Sequence, residues 1–242
     1  MSSISSAAKD NLDRLGKNPY PGRGIVIGLS PDGRSLMQVY WIMGRSENSR
    51  NRVFVEENGF VKTKAFDEKK LTDPSLIIYY PARHTGSAHI ITNGDQTDTV
   101  FESLKNGGTF ESALSTRTFE PDAPNFTPRI SGIVDLNDKT AVYRLSILKS
   151  VPGSDGGCTR NTFAFEKGIA GIAHCIHTYE GDGNPLPSFS GEPYPVPLSD
   201  SIADNAKTYW DHLNSENRVS LLVKKIDVKS GVAEITIVNK LS

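Results

Sequence analysis

Three arginines stand close together between two predicted strands of an otherwise nearly neutral chain. Arg45, Arg50 and Arg52 fall within eight residues, and the donors Ser46 and Asn51 lie between them. A guanidinium can hold two oxygens of a phosphate or a carboxylate at once. The cluster therefore indicates an anion-binding loop, and a solvated loop without a ligand is the alternative.

A second group of polar side chains lies between Tyr79 and Asp98. Arg83 follows two tyrosines at the mouth of an apolar run, and the stretch ends in the turn sequence N-G-D-Q-T-D. Backbone amides and the start of a predicted helix converge at such a turn, which favours anions and sugar hydroxyls. The side chains that could bind them are Asn93, Asp95, Thr97 and Asp98. A tight turn that only caps a helix is the alternative.

The proline-rich segment from Phe119 to Ile130 contains the third group. Its prolines forbid a regular helix and predict an extended loop that leads into a strand. Glu120, Thr127 and Arg129 could surround a site there, whereas a stiff connector without a function is the alternative.

The chain shows no pattern typical of a metal site. His174 and His177 are three residues apart in a predicted strand, so they face opposite sides of it. Cys158 and Cys175 lack the spacing of metal ligands, and we expect both to be free thiols in a reducing compartment. We therefore expect no bound metal.

Composition favours an ordinary globular protein with a full core. The 242 residues are 37% hydrophobic and 23% charged, and their net charge is −1. No apolar run reaches the roughly 18 to 20 residues that span a bilayer, and the N-terminus lacks the apolar core of a secretory signal. The near-neutral charge argues against nucleic acid as the main partner. These features predict a cytoplasmic protein with neither a membrane nor a nucleic-acid partner.

Short apolar or alternating runs predict the strands that must position these residues, and amphipathic runs predict a few helices. The predicted strands are Gly24–Leu29, Ser35–Met43, Val53–Glu57, Phe60–Ala65, Leu76–Tyr79, Ala88–Thr92, Ile130–Val134, Ala141–Leu148, Thr162–Phe165, Ile169–His177, Arg218–Asp227 and Ala233–Asn239. The predicted helices are Ser6–Leu15, Thr99–Leu104, Thr109–Leu114 and Ser199–Leu213, the last with Ser199 as its cap.

These elements predict a layered α+β fold. Several strands are apolar on both faces, as expected for a sheet covered on both sides. We predict one domain over residues 19–242, preceded by a flexible extension over residues 1–18. The Gly- and Pro-rich stretch Thr178–Leu198 is too long for a tight turn and is predicted to form a flap over the site.

Five short motifs occur in one order along the first half of the chain. They are Gly22-Arg23-Gly24, Arg45-Ser46 with Asn51-Arg52, Tyr79-x-x-x-Arg83, Asn93-Gly94 with Thr97-Asp98, and Thr127-Pro128-Arg129-Ile130. Together they resemble the archaeal-type IMP cyclohydrolase family over roughly residues 20–134. The resemblance implies the four-layer αββα sandwich of the N-terminal-nucleophile hydrolases, with mostly antiparallel sheets. It also implies cofactor-free closure of a formamido-imidazole-carboxamide ribonucleotide to IMP with loss of water, a step of purine biosynthesis.

The resemblance also implies roles for individual residues. Arg52 would stabilise the oxyanion, Tyr79 would relay protons, and Glu120 would act as the general base. The residues that would bind the purine-type ribonucleotide are Arg23, Arg45, Ser46, Asn51, Arg83, Asn93, Gly94, Asp95, Thr97, Asp98, Thr127 and Arg129. The sequence leaves homo-oligomer formation open.

The chain departs from the family pattern at several places. Asp95-Gln96 stands where the family usually has Ser-His, and a carboxylate there would repel a phosphate unless it turns away or meets the ribose. The Glu120 loop is one residue longer, and the flap and the last hairpin lack counterparts. A related nucleotide or amide hydrolase with another substrate, and a non-catalytic purine-nucleotide-binding protein, are therefore the alternatives.

Overall fold

Two antiparallel sheets packed face to face form the centre of the molecule. A computed structural model describes residues 3–71, 74, 76–151 and 156–241. The first sheet has the order β11-β10-β1-β2-β12-β13, with β1 (Gly24–Leu29), β2 (Ser35–Met43), β10 (Ile172–His177), β11 (Tyr194–Pro197), β12 (Arg218–Asp227) and β13 (Ala233–Asn239). The second runs β3-β4-β5-β6-β7-β8-β9, with β3 (Arg52–Glu57), β4 (Phe60–Ala65), β5 (Ala82–Thr85), β6 (Ala88–Thr92), β7 (Arg129–Asp135), β8 (Tyr143–Ser150) and β9 (Cys158–Phe165).

Helices cover the outer faces of both sheets. Helices α1 (Ser3–Lys17) and α5 (Ile202–His212) pack on the first sheet, and α3 (Gln96–Lys105) and α4 (Phe110–Ser115) pack on the second. Helix α2 (Glu47–Arg50) and a short 3-10 turn over Glu68–Lys70 have no buried residues. Strand β1 shows why the layers form: Ile25 and Ile27 face the second sheet, whereas Val26 faces the cluster that contains the buried residues of α1 and α5. A third apolar cluster lies between the second sheet and α3 and α4. The predicted α+β sandwich with four layers is confirmed.

Most predicted strands are present with small changes at their ends. β1, β2, β4, β6, β12 and β13 have the predicted bounds. Strand β10 begins at Ile172 rather than Ile169, because Gly171 has a φ of 76° that interrupts the extended backbone. Helix α5 is capped by Ser201, whose side chain accepts a hydrogen bond from Asp204 N at 3.1 Å, and not by Ser199.

The predicted strand Leu76–Tyr79 is wrong. The amides of Ile77 and Ile78 both donate to Pro74 O, at 3.1 and 2.9 Å, so this run folds into a turn. The next segment, β5, takes its place in the sheet. Its sequence A-R-H-T is short and polar, so periodicity did not reveal it.

The first residues are more structured than the sequence predicted. Helix α1 is longer than the predicted Ser6–Leu15, and its buried residues Ala8, Leu12 and Leu15 face the first sheet. Apolar residues four and three apart on one helix face explain this packing. The expected polar tail is thus a covering helix over residues 3–17, and Met1 and Ser2 lie outside the described residues.

The Thr178–Leu198 stretch is an ordered segment rather than an open loop. It contributes strand β11, and its residues Leu186, Phe189 and Val196 are buried. Both cysteines are free thiols, as expected. No helix within the described residues is long and apolar enough to cross a membrane.

Candidate active site

A cluster of buried polar side chains fills one end of the space between the two sheets. Three strands begin here, and Arg23, Arg52 and Arg129 stand just before β1, at the start of β3 and at the start of β7. Asn93 directly follows the end of β6, and Glu120 comes from the loop that precedes β7. Strand ends from both sheets therefore bring together residues that are more than 100 positions apart in the sequence.

Glu120 lies at the centre of this cluster and is only 1% exposed. Its Oε2 is 3.5 Å from Arg23 Nη2, and Asn93 Nδ2 donates to its Oε1 at 3.4 Å. Burial raises the pKa of the carboxyl to about 7, because loss of water outweighs the opposing effect of Arg23 and Arg129. A group with this pKa can accept and return a proton near neutral pH.

Arg52 and two tyrosines form the neighbouring part of the cluster. Arg52 is 1% exposed, and its Nε donates to Ser49 O at 2.8 Å. Its Nη1 is buried without a hydrogen-bond partner among the described residues. The Tyr79 and Tyr40 hydroxyls share a hydrogen bond of 2.7 Å, and burial raises the pKa of both. Both tyrosines are therefore protonated donors beside a guanidinium that has a free N–H.

Arg23 owes its position to the glycine before it. Gly22 has a φ of 75°, and a Cβ there would lie 2.2 Å from Thr178 Oγ1 and 2.5 Å from the ring of Tyr179. The same Thr178 Oγ1 accepts a hydrogen bond from Arg23 N at 3.1 Å. Arg23 Nε is buried without a partner in the described part of the chain. Gly22 thus lets the backbone come close enough to the Thr178 segment to aim Arg23 at Glu120.

The predicted Asn-Gly turn reaches the same cluster. Asn93 Oδ1 accepts from Ile130 N at 2.8 Å, and Asn93 Nδ2 donates to Pro128 O at 2.9 Å. A Cβ on Gly94 would lie 2.7 Å from Arg129 Nη1 and 3.5 Å from Glu120 Oε1. Only a glycine leaves room there. The turn therefore ties β6 to β7 and borders the catalytic candidate Glu120.

The Asp95-Gln96 departure has a structural explanation. Gln96 Nε2 donates to Asn93 Oδ1 at 2.9 Å, and its Oε1 accepts from Arg129 Nη1 at 2.7 Å. Asp95 accepts from the same Nη1 at 2.6 Å and from Arg117 Nη2 at 2.5 Å. Burial acts to raise the pKa of Asp95, but the two arginines outweigh it and lower the pKa. Both residues therefore hold Arg129 in place.

Two predicted binding residues, Thr97 and Thr127, stabilise the turn and the loop that carry the site residues. Thr97 Oγ1 binds Thr92 Oγ1 at 2.6 Å and Gly94 O at 3.1 Å, so it stabilises the turn. Thr127 Oγ1 binds the Tyr179 hydroxyl and the Asp122 carboxylate, and it anchors the Glu120 loop to the Thr178–Leu198 segment. Burial raises the pKa of Tyr179 to about 12, so its hydroxyl stays protonated.

Arg83 and Asp98 lie on the other face of the second sheet. Arg83 pairs in register with Ile90, which belongs to the cluster under α3, while Ala82 and Ile91 face the first sheet. Its Nη1 donates to Asp98 at 2.6 Å, and its guanidinium lies 3.5 Å from the centre of the Phe101 ring. The structure therefore does not bring this pair to the buried cluster.

The three arginines of the 45–52 segment do not converge on one point either. Arg45 is 39% exposed, pairs with Asp182 and lies over the Tyr20 ring, while Arg50 donates to Gly44 O and Asn217. Ser46 caps the exposed helix α2, and Asn51 exchanges two hydrogen bonds with the Asp67 backbone. Of the three arginines only Arg52, the first residue of β3, enters the cluster, whereas Arg45 and Arg50 lie outside the strand.

Three residues of the site carried no sequence signal. Tyr40 lies inside the uniformly buried strand β2, Tyr179 follows β10, and Arg117 stands in an ordinary loop before Glu120. The role of these three residues follows only from their contacts with residues that are distant in the sequence.

The described residues contain no group of three or more His, Cys, Asp or Glu side chains that could hold a metal ion. As predicted, His174 and His177 are separate: the first binds the Tyr143 hydroxyl at 2.7 Å, and the second binds Tyr179 O at 2.8 Å. A cleft of about 490 Å³ lies beside the end of α1, but Glu120 and Arg52 do not line it. The chemistry of the polar cluster, rather than cleft size, marks the candidate site.

Comparison with known proteins identifies the family to which the chain belongs. The family model described as IMP cyclohydrolase-like protein matches residues 20–230. The IMP cyclohydrolase of Methanopyrus kandleri is 34% identical over 120 residues, which cover 48% of this chain and 59% of the relative. The IMP cyclohydrolase of Methanococcus aeolicus is 30% identical over 146 residues, which cover 57% of this chain and 70% of the relative. The chain therefore belongs to the IMP cyclohydrolase-like family.

Proposed function

We propose that the protein is an IMP cyclohydrolase that closes a formamido-imidazole-carboxamide ribonucleotide to IMP with loss of water. Family membership supports this function, and the two named relatives carry the same activity in their names. The observation that carries the proposal is the buried cluster of Arg23, Arg52 and Glu120. Each has a buried polar atom without a hydrogen-bond partner among the described residues. Such atoms are free to bind a substrate.

The reaction needs a base and an oxyanion site close together. The carboxamide nitrogen attacks the formyl carbon, a C–N bond forms, and the formyl oxygen becomes anionic. We propose that Glu120 accepts the proton of the attacking nitrogen. The free Nη1 of Arg52 would donate to the oxygen, where a preorganised donor stabilises the developing charge.

The second half of the reaction breaks the bond between this carbon and the oxygen. As the bond breaks, the former formamido nitrogen forms a double bond to the carbon and loses its N–H proton. The oxygen needs two protons to leave as water: one is the proton taken from the attacking nitrogen, and the other is balanced by the proton lost from the formamido nitrogen. Tyr79 is a protonated donor beside Arg52, and its hydrogen bond to Tyr40 lets it donate one proton and be resupplied. The protonated Glu120 can return the other. Because both reacting groups belong to one substrate, holding them in contact contributes much of the rate.

Substrate positioning is proposed for the residues that border the cluster. Asn93, Gly94 and Arg129 lie next to Glu120, and Arg23 pairs with it. We keep Thr127 and Thr97 as supports of the loop and the turn. Arg45 and Ser46 are further out, at the exposed mouth, and a homo-oligomer remains a prediction.

The direct test is to mix the purified protein with the formylated ribonucleotide and to follow IMP formation by absorbance. The proposal predicts saturable turnover without an added cofactor. Saturable IMP binding without turnover would instead indicate a non-catalytic nucleotide-binding protein. Absence of both turnover and binding would overturn the proposal, and a formylated analogue that is hydrolysed would point to the alternative amide hydrolase.

A further inference from the structure

Asp95 lies between two arginines at the mouth of the buried cluster. Its carboxylate oxygens accept from Arg129 Nη1 at 2.6 Å and from Arg117 Nη2 at 2.5 Å. The Arg129 side chain is 6% exposed and that of Arg117 is 26% exposed, whereas the Asp95 side chain is 50% exposed. The carboxylate therefore reaches the two cations from the solvent side.

The Arg129 guanidinium has a second partner besides Asp95, and the backbone of Arg117 is anchored. Arg129 also binds Gln96 Oε1 at 2.7 Å, and Arg160 donates twice to the backbone oxygen of Arg117, at 2.8 and 3.2 Å. Asp95 stands at the cap position of α3, but its side chain makes no capping hydrogen bond. Moving this carboxylate would thus leave the helix start intact.

A phosphate and a carboxylate bind guanidinium groups in the same way, through paired oxygens. Two arginines opposite one carboxylate leave an excess positive charge at this place. It is also continuous with the reaction centre, because Gly94 lies beside both Arg129 and Glu120. A nucleotide could reach from Glu120 to these arginines along the turn.

We propose that Arg117 and Arg129 form the phosphate site of the nucleotide, and that Asp95 occupies this site until the phosphate displaces it. The identity of the nucleotide rests on the proposed function. Asp95 would then set phosphate affinity: it keeps the two arginines together in the empty protein, and it competes with the ligand. Because half of the Asp95 side chain faces solvent, a phosphate can approach the two arginines from the same side and exchange with the carboxylate.

The test is calorimetric binding of IMP, inosine and inorganic phosphate to the wild-type protein and three variants. Asp95→Asn removes the competing charge and keeps the side-chain shape, so we expect it to bind IMP and phosphate about 3- to 10-fold more tightly. Arg117→Gln should weaken both by a similar factor. Inosine lacks the phosphate, so its affinity should stay within 2-fold of wild type in both variants.

The control is Asp211→Asn, which removes an exposed carboxylate that pairs with Lys207 on helix α5. It should leave all three affinities unchanged. Weaker binding of both IMP and inosine in Asp95→Asn would overturn the proposal, because it would place Asp95 on the ribose. Unchanged phosphate binding in Asp95→Asn and Arg117→Gln would overturn it as well. Phosphate binding is measured without turnover. A protein that binds phosphate as predicted but forms no IMP would therefore contradict the proposed activity and not the phosphate site.

Discussion

Glu120 is a carboxyl buried from water with two arginines, Arg23 and Arg129, close to it. Its pKa is raised to about 7, so both the protonated and the ionised form are accessible near neutral pH. A base with this pKa is well matched to a reaction that both takes up and returns a proton. The motif resemblance indicated Glu120 as the base, but only the burial of the carboxyl explains why its pKa is raised.

The rate should therefore follow the ionisation of Glu120. We expect kcat/KM to rise as pH increases through about 7, because the carboxylate form accepts the proton. Glu120→Gln should lower kcat by about 100- to 10,000-fold and remove this pH dependence. The measurement is initial rate against pH for both proteins. A wild-type profile that is flat between pH 5 and 8 would contradict this role.

The raised pKa of Glu120 also makes the stability of the protein depend on pH. The folded protein keeps the Glu120 proton up to about pH 7, while an unfolded glutamate loses it near its ordinary value of 4.5. The unfolded state thus binds fewer protons between these values, and this residue's contribution to stability falls as pH rises through that window. Glu120→Gln should remove that fall from the pH dependence of the free energy of unfolding.

Residue types alone identified Arg52, Asn93, Glu120 and Arg129 as candidates, and the structure brings these four together. They could be predicted because each stands in a loop or at a strand end, where charged side chains are not needed for packing. Arg83 and Asp98 have the same residue types but lie on the opposite face of the sheet. Which face a strand residue takes depends on register, and the short polar strand β5 gave no periodicity to fix it.

At the scale of elements, the close contact between the start of β1 and the Thr178 segment positions the site. Gly22 is the residue that allows this contact. The Gly-Arg-Gly motif could be recognised in the sequence, but the partner of Gly22 is 156 positions away. Nothing in the local sequence shows that Thr178 will be there.

Gly22→Ala should therefore harm both stability and activity. The new Cβ would meet Thr178 and Tyr179, and Gly22 already has a φ that disfavours other residues. Gly33→Ala is a matched control, because Gly33 has a φ of 70° and open space around it. We expect Gly22→Ala to lower the free energy of unfolding by roughly 1 to 3 kcal/mol more than Gly33→Ala. If urea unfolding shows the same loss of unfolding free energy in both variants, the contact of Gly22 with Thr178 and Tyr179 does not contribute to stability.

At the scale of the whole molecule, the sandwich buries a second polar group that has no part in the proposed reaction. Lys224 of β12 is 1% exposed, and its Nζ has no hydrogen-bond partner among the described residues. Burial lowers the pKa of Lys224 to about 8, with Glu56 opposing the effect. The sequence predicted β12 with its bounds, but a lysine in an apolar strand is normally expected at the surface.

Lys224→Met should stabilise the protein. The shift from 10.5 to about 8 corresponds to a cost on the order of 3 kcal/mol for the charged form at neutral pH. Between these values the unfolded state binds more protons, so the stability of the wild type should rise with pH and the advantage of the variant should shrink. Lys225→Met is the control, because Lys225 donates to Asp200 O at 2.9 Å near the surface. Urea unfolding at pH 7 and pH 10 measures both effects, and a destabilised Lys224→Met would refute the prediction.

The layers themselves were predictable, because strands that are apolar on both faces require a cover on each side. The covering role of α1 was not, since a polar helix with three apolar residues gains its stability from the sheet it meets. Sequence patterns thus predicted a layered α+β fold, and the family resemblance implied the order of the layers. Contacts between distant strands determine which residues form the site.

The central claim is that Arg52, buried with a free Nη1, stabilises the oxyanion of the ring closure. It is tested most directly by the initial rate of IMP formation in the wild type, in Arg52→Ala and in Arg50→Ala, with folding of each checked by thermal unfolding. Arg50 is an exposed arginine two residues away that donates to Gly44 O and Asn217, so it controls for loss of charge in this segment. We predict that Arg52→Ala lowers kcat by about 100- to 1,000-fold while Arg50→Ala stays within a few-fold of wild type. A folded Arg52→Ala variant with a rate close to that of the wild type would contradict the claim.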